Sequence, residues 1–383
     1  MGSEAIPDQG RAQFVVRVAV RVPGRLAEVA RTTAQPRRPI RYEALTMSPT
    51  QSEKTTRSRR GLWLLLLLAA ALAVMAVLLL VERGGTVRKA EVVEYAMLEQ
   101  RDVPTAIAVA PDGSVWFTID LSDAIGRVRN GKLERFTDGT GNLEPIGIAV
   151  GADGAAWYTD AAAKRVTRLA PDGTFTSVAL DTPVARLGQI AAAPDGAVWF
   201  AEAHAFSITR LKDGQLERHV IDSPRAGPLG VAVARDGTVW ATLQAGNQLL
   251  RIGPDGQMQP FDIPTRGSSP SDITVDGQGA VWFLEFRGNK LARFKDGKFE
   301  EVALGQENVG PTGLSVAPDG AVWFGMLRQG SLARYREGRI VRFRLPRERA
   351  RPYSVAADAA GNIWYTDISG FVGMLPAKEA QKR

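Results

Sequence analysis

The chain has no cysteine and only two histidines, His204 and His219, among its 383 residues. The first absence excludes disulfides, thiolate nucleophiles and cysteine-ligated metals. The second leaves little imidazole for metal binding or proton transfer. Aromatic residues make up 7% of the chain, yet eight of them are tryptophan, and their placement is regular. Long uncharged runs are also absent, with one exception at Gly61 to Val81.

Seven of the tryptophans, Trp116, Trp157, Trp199, Trp240, Trp282, Trp323 and Trp364, stand 41 or 42 residues apart. Each follows a small turn such as Pro111-Asp112-Gly113, and most precede Phe or Tyr. The fourth unit shows what one period holds. Leu229 to Ala234 is an apolar run, Asp236-Gly237 a hairpin turn, and Thr238 to Thr242 alternates around Trp240. Leu249 to Ile252 and Gln257 to Ile263 follow, separated by Pro254-Asp255-Gly256. Short β-branched runs joined by Asp-Gly turns predict antiparallel strands. Repeats of about 40 to 45 residues with four strands each are propeller blades. The predicted fold is all-β, a seven-bladed propeller of four-stranded blades over residues 90–376, preceded by one transmembrane helix.

The last repeat has three strands and a polar tail at 377–383. Ala90 to Ala96 resembles an outer strand and is expected to pair with the last strand of blade seven. That pairing leaves no open edge at the seam.

The net charge of +7 invites a nucleic-acid reading, so its location matters. Residues 1–60 hold twelve Lys/Arg against five Asp/Glu, which accounts for the whole excess. The propeller is neutral overall and lacks the basic footprint of a DNA-binding domain. No nucleic-acid partner is expected, and the chain is expected to be a monomer.

Gly61 to Val81 is 21 residues without a charge, enough at ~1.5 Å per residue to span the ~30 Å hydrocarbon layer. It is read as an uncleaved anchor rather than a signal peptide, although Ala71-Leu72-Ala73 leaves the cleaved alternative open. Lys54, Arg57, Arg59 and Arg60 precede it, so the positive-inside rule places residues 1–60 in the cytoplasm and the propeller on the extracytoplasmic side. Residues 82–89 are read as a linker. Residues 1–46 show no period; either Met47 is the true initiator or they form a cytoplasmic tail.

In a ring of equivalent blades, a residue present everywhere has a structural task. By this test the tryptophans are core rather than a ligand platform. Arg127, Arg168, Arg210, Arg251, Arg293 and Arg334, each 11 residues after its Trp, are anchors. Residues that break the pattern are the functional candidates.

The units Pro145-Ile146-Gly147-Ile148, Pro311-Thr312-Gly313-Leu314 and Ala280-Val281-Trp282-Phe283-Leu284-Glu285, continuing to Gly288-Asn289-Lys290-Leu291-Ala292-Arg293, resemble the repeat of the virginiamycin B (streptogramin) lyase family. The resemblance covers about residues 90 to 375. It implies ring-opening of a cyclic depsipeptide by elimination, assisted by Mg²⁺, with a base at a His following Pro on an inner strand. The residues at that position here are Thr105, Ile146, Gly188, Leu229, Ser271, Thr312 and Tyr353, and none is His.

Substitutes for that base are His204, in the loop after Trp199, and the carboxylates Glu202 and Glu285. His219 reads as an exposed outer-strand residue. Asp160, Glu202, Glu285 and Asp367 each lie three residues after a Trp and are candidates for a partial acidic ring holding Mg²⁺ or Ca²⁺. The alternative is that they pair with neighbouring Arg or Lys. Loop arginines Arg225, Arg266, Arg287, Arg328, Arg347, Arg349 and Arg351, with Tyr353 and Asp272, suit an anionic or mixed-charge ligand on the same face: a small molecule, a glycan or a peptide. Three functions remain open: a membrane-anchored ligand-binding module, a carbon-oxygen lyase or gluconolactonase-like lactone hydrolase, and a protein-interaction scaffold.

Overall fold

The computed structural model describes residues 86–382, apart from 121, 142, 182–185 and 306. The run at 61–81 read as an anchor, the residues before it and the start of the segment read as a linker lie outside the described residues. Among the described residues, no helix is long and apolar enough to cross a membrane.

Seven antiparallel sheets follow one another in chain order. Their innermost strands are Val103–Val109, Pro145–Val150, Leu187–Ala192, Pro228–Val233, Pro270–Val275, Pro311–Val316 and Pro352–Ala357. Each lies beside the next, and the seventh lies beside the first, so the ring is closed. The turns between first and second strands, five of them Asp-Gly, explain the recurring glycine: Gly113, Gly154, Gly196, Gly237, Gly279, Gly320 and Gly361 have φ between +75° and +83°. Only glycine enters that region without a steric penalty.

The second strand of each blade is its most buried element, as in Val198–Glu202 and Ile363–Asp367, where every residue is enclosed. Alternation along it sends Trp toward one neighbouring sheet and the following aromatic toward the other. The core therefore consists of seven clusters, each shared by adjacent blades. Trp116 and Ile125 of blade one, for instance, pack with Tyr158 and Leu169 of blade two. The anchoring arginines behave as the repeat implies. Arg127 stacks over Trp116 and Phe136 and donates to the Pro171 carbonyl of the next blade, while Arg168 and Arg210 hold the turns of their own blades at Asp153 and Asp195.

The ring closes as the sequence predicts. Val93–Ala96 pairs antiparallel with Phe371–Leu375 and completes blade seven. Tyr95 stacks on Trp364 with ring centroids 6.2 Å apart. Two features differ from the sequence reading. Thr86–Lys89, assigned to a linker, forms a fifth strand on blade six, parallel to Arg339–Arg344. The polar tail after Leu375 forms a short helix, Ala377–Ala380, whose carbonyl at Ala380 accepts from Arg334.

Candidate functional site

Every inner strand carries a register shift where it enters the blade, between Pro104 and Ile107 in blade one, Pro270 and Ile273 in blade five, and Pro352 and Ser354 in blade seven. Bulges of this kind release residues from pairing and re-aim them, and they recur beside binding sites. Here they set the residues after each Pro around the channel mouth, on the face that also carries the long loops between blades.

A threonine two residues after the Trp secures most of these bulges. Thr159 Oγ1 accepts the Gly147 N–H at 3.0 Å and donates to the Gly188 carbonyl of the next blade, also at 3.0 Å. Thr242 links Gly230 to Ser271 in the same way, and Thr366 links Ser354 to Thr105. Blade five has Leu284 at this position. There the Asp272 carboxylate takes the Gly313 N–H instead, so blade five is joined to blade six by an acid rather than a hydroxyl. Enclosure in the channel wall raises the Asp272 carboxyl above the usual carboxylate range, against the lowering effect of that N–H.

Tyr353 is the most exposed residue at the mouth, with 38% of its surface accessible. Its enclosed setting, then the negative charges of Asp272 and Asp120, raises the phenol pKa and keeps the hydroxyl protonated. Asp272 of blade five and Asp120 of blade one are therefore both within electrostatic reach of Tyr353. Ser271 Oγ is buried beside Asp272, and its hydroxyl acts to lower that carboxyl. Sequence reasoning missed Asp120 and Ser271. The signal that would have found Ser271 and explained Asp272 is the missing threonine of blade five.

The four acids three residues after Trp are fully enclosed and are not brought together. Asp160 accepts from Arg165 at 2.9 Å, Glu202 from Arg218 at 3.0 Å and Asp367 from Arg347 at 2.7 Å. Among the described residues, no three of His, Cys, Asp or Glu converge on a point where a cation could sit. The acidic ring thus does not fit Mg²⁺ or Ca²⁺, because three of its four carboxylates are held by arginine and the four do not converge.

Glu285 is the exception. The lysine expected to neutralise it, Lys290, lies 2.5 Å from Glu301 instead. Glu285 is left facing the Glu301 carboxylate and the Thr265 hydroxyl rather than a cation of its own. Burial, and then the charge of Glu301 outweighing that of Lys290, pushes the Glu285 carboxyl up to about 7. That is a useful value for proton transfer, but the side chain is 0% exposed and reaches no open surface.

His204 is exposed in its turn. His219 differs from its sequence reading: it is packed on Trp199 with ring centroids 5.2 Å apart, because the outer strand turns that residue toward the next blade. Among the arginines, Arg347 is structural, bound to Glu94, Asp367 and Ser369. Arg225, Arg266, Arg287, Arg328, Arg349 and Arg351 are exposed on the loops of blades four to seven. Arg328 lies over the Phe286 ring, and Arg351 donates its backbone N–H to Asp367.

The model of the virginiamycin B lyase family matches this chain over residues 81–212 and 132–381. The chain belongs to that family. A virginiamycin B lyase from Nocardia farcinica is 32% identical over 166 residues, which is 42% of this chain and 56% of that protein, so the match spans about half of the relative's length. A catalytically inactive His-to-Ala variant of virginiamycin B lyase from Staphylococcus aureus, solved with quinupristin, superposes with a TM-score of 0.71 at 24% identity. It covers 75% of this chain and 99% of its own. A structure described as YCF48 bound to D1 peptide superposes at 0.62 and 13% identity, over 76% of this chain and 99% of its own. At these identities the superpositions speak for the fold. Within the virginiamycin B lyase family, this member lacks the histidine after the inner-strand proline.

Proposed function

We propose that this chain is a membrane-anchored, extracytoplasmic propeller that binds an anionic or mixed-charge ligand, small or polymeric, at the loop face. One observation carries the reading. Six exposed arginines, at 225, 266, 287, 328, 349 and 351, make no ion pair among the described residues. They occupy the loops of adjacent blades around a mouth bearing Tyr353, Asp272 and Ser271. Exposed arginines paired with their own fold would contribute little to recognition. An arc of unpaired ones attracts anionic groups and orients them by forked hydrogen bonds.

The test uses a heparin oligosaccharide against a neutral dextran oligosaccharide of equal length, at low salt. The heparin is expected to bind and the dextran not to. Arg349→Ala with Arg351→Ala is expected to weaken binding roughly fivefold or more. Equal binding by both glycans, or no change in the double variant, would reject the reading.

Family membership supports a second reading, the carbon-oxygen lyase. Glu285, with its carboxyl near 7, has the proton affinity that reaction needs, and blade five would have to open around it for a substrate to reach it. Quinupristin incubated with the protein and Mg²⁺, with EDTA as control, separates the two. A linear product of unchanged mass would establish elimination, and a gain of one water hydrolysis. The binding reading expects quinupristin to be recovered intact.

The anchor rests on the uncharged run at 61–81. The protein is expected to sediment with membranes through a carbonate wash and to be digested by protease added to spheroplasts. Release by carbonate, or protection from the protease, would count against it.

A further inference from the structure

At the end of the propeller opposite the loop face, a recess lies beside the apolar cluster that joins blades three and four. A cavity of about 620 Å³ opens between the turns at Asp195-Gly196, Asp236-Gly237 and Asp255-Gly256, with Trp199 and His219 in its wall. Its size lies within the range of small-molecule sites, roughly 300 to 1,000 Å³.

The repeat shows what is particular to the cavity's wall. His219 lies opposite Ile208 on its blade, two residues beyond the pairing of Arg210 with Glu217. The equivalent residue is Phe136 in blade one, Phe261 in blade four, Phe343 in blade six and Tyr95 in blade seven. In blades two and five it is Val178 and Val302. Only blade three places an imidazole there. The next blade fills this groove with an aliphatic residue at most junctions and with an aromatic one at two. At the junction of blades four and five, Phe294 fills the groove and stacks on Phe261 at 4.6 Å. At the junction of blades three and four its counterpart, one residue after Arg251, is the smaller Ile252.

The cavity's chemistry is distinct from that of the loop face. His219 Nε2 is buried and makes no hydrogen bond, and it lies 3.5 Å from Glu217 Oε1. Arg210 is held by Asp195 at 2.7 Å, and Lys212 approaches the same carboxylate at 3.3 Å. Arg235 reaches away toward the Gly277 turn of blade five. Asp236 and Asp255 each use Oδ1 to accept a backbone N–H of their own turn and form no ion pair among the described residues. Negative charge therefore exceeds positive charge around an aromatic wall.

We propose that this cavity is a second ligand site, for a small organic cation carrying an amidinium or ammonium group. The positive group faces Asp236 and Asp255, and the ligand body lies against the Trp199 and His219 rings, a contact that offset aromatic stacking favours. The Nε2 of His219 supplies a ring-nitrogen hydrogen-bonding group in a wall where the equivalent residues are Phe, Val or Tyr.

Calorimetric titration of the full-length protein with benzamidine, and with benzoate as its isosteric anion, tests this. Benzamidine is expected to saturate a single site and benzoate to give no saturable heat. Asp236→Asn with Asp255→Asn is expected to weaken benzamidine at least tenfold. His219→Phe restores the residue of blades one, four and six, so the melting temperature should hold or rise while benzamidine affinity falls at least tenfold. The loop-face variant Arg349→Ala with Arg351→Ala should bind benzamidine unchanged. Absence of saturable benzamidine binding, equal binding of benzoate, unchanged affinity in both cavity variants, or loss of affinity in the loop-face variant would each overturn the proposal.

Discussion

Arg347→Ala is expected to lower stability by about 3 to 5 kcal/mol, the cost of stranding one half of a buried ion pair. Asp367 is 0% exposed and accepts from Arg347 Nη2 at 2.7 Å. The same guanidinium reaches Glu94 on the closing strand at 3.1 Å and lies 3.7 Å from the Phe371 ring centroid. Glu94 in turn accepts from the Tyr365 hydroxyl at 2.9 Å. One cation thus joins the entry loop of blade seven, its second strand and the N-terminal strand that seals the ring. Urea denaturation checks the expected loss. The double variant Arg347→Met with Asp367→Asn removes both charges together and should recover much of it, because no buried carboxylate is then left unpaired. A single variant as stable as the parent would show that the closure does not depend on this pair. Deletion through Ala96 removes the strand itself, opens an edge on blade seven, and should bring aggregation as well as lower stability.

That closure was legible because outer strands repeat a pattern, and Ala90 to Ala96 copies it. The tryptophan period gave the blade number for the same reason. Thr86–Lys89 offered no such signal: four residues, two of them basic, resemble any polar linker until the edge of blade six is present to pair with them. The position of the four acids was also readable, but not their partners. Glu202 and Arg218 are 16 residues apart, and Asp367 and Arg347 are 20 apart on opposite sides of an inner strand. Whether such a carboxylate faces a channel or a guanidinium depends on strand registers that no local pattern encodes. His219 was readable in retrospect. Aligning it with Phe136, Phe261 and Phe343 places it against a tryptophan, whereas its own neighbours Arg218 and Val220 suggest an exposed strand.

Stability should fall as pH rises between about 4.5 and 7, and Glu285 should be the cause. Its folded carboxyl titrates at about 7 against an ordinary value of 4.5. The folded state therefore keeps a proton that the unfolded chain has already released across that interval. A raised folded pKa contributes stability that is complete below the unfolded value and lost as pH climbs to the folded one. At ~1.4 kcal/mol for each pH unit of the interval, the loss is about 3 kcal/mol. The aspartates held low by arginine act in another window. Asp195, lowered to about 2 by Arg210, the Ala197 N–H and Lys212 against the effect of burial, loses its contribution only as pH falls below its ordinary 3.8. The two trends are thus separable in one series of urea titrations from pH 3 to pH 8. Glu285→Gln carries no ionisable group, so its stability should exceed the parent's by an amount that grows to about 3 kcal/mol near pH 8. Glu301→Gln removes the opposing charge and frees Lys290 for Glu285, which should flatten the same slope while the carboxylate remains. Parallel curves for parent and Glu285→Gln would mean that this carboxyl ionises inside the fold at its ordinary value. Blade five would then hold its buried acid as the other blades do, by a cation, and the proton affinity on which the lyase reading rests would be gone.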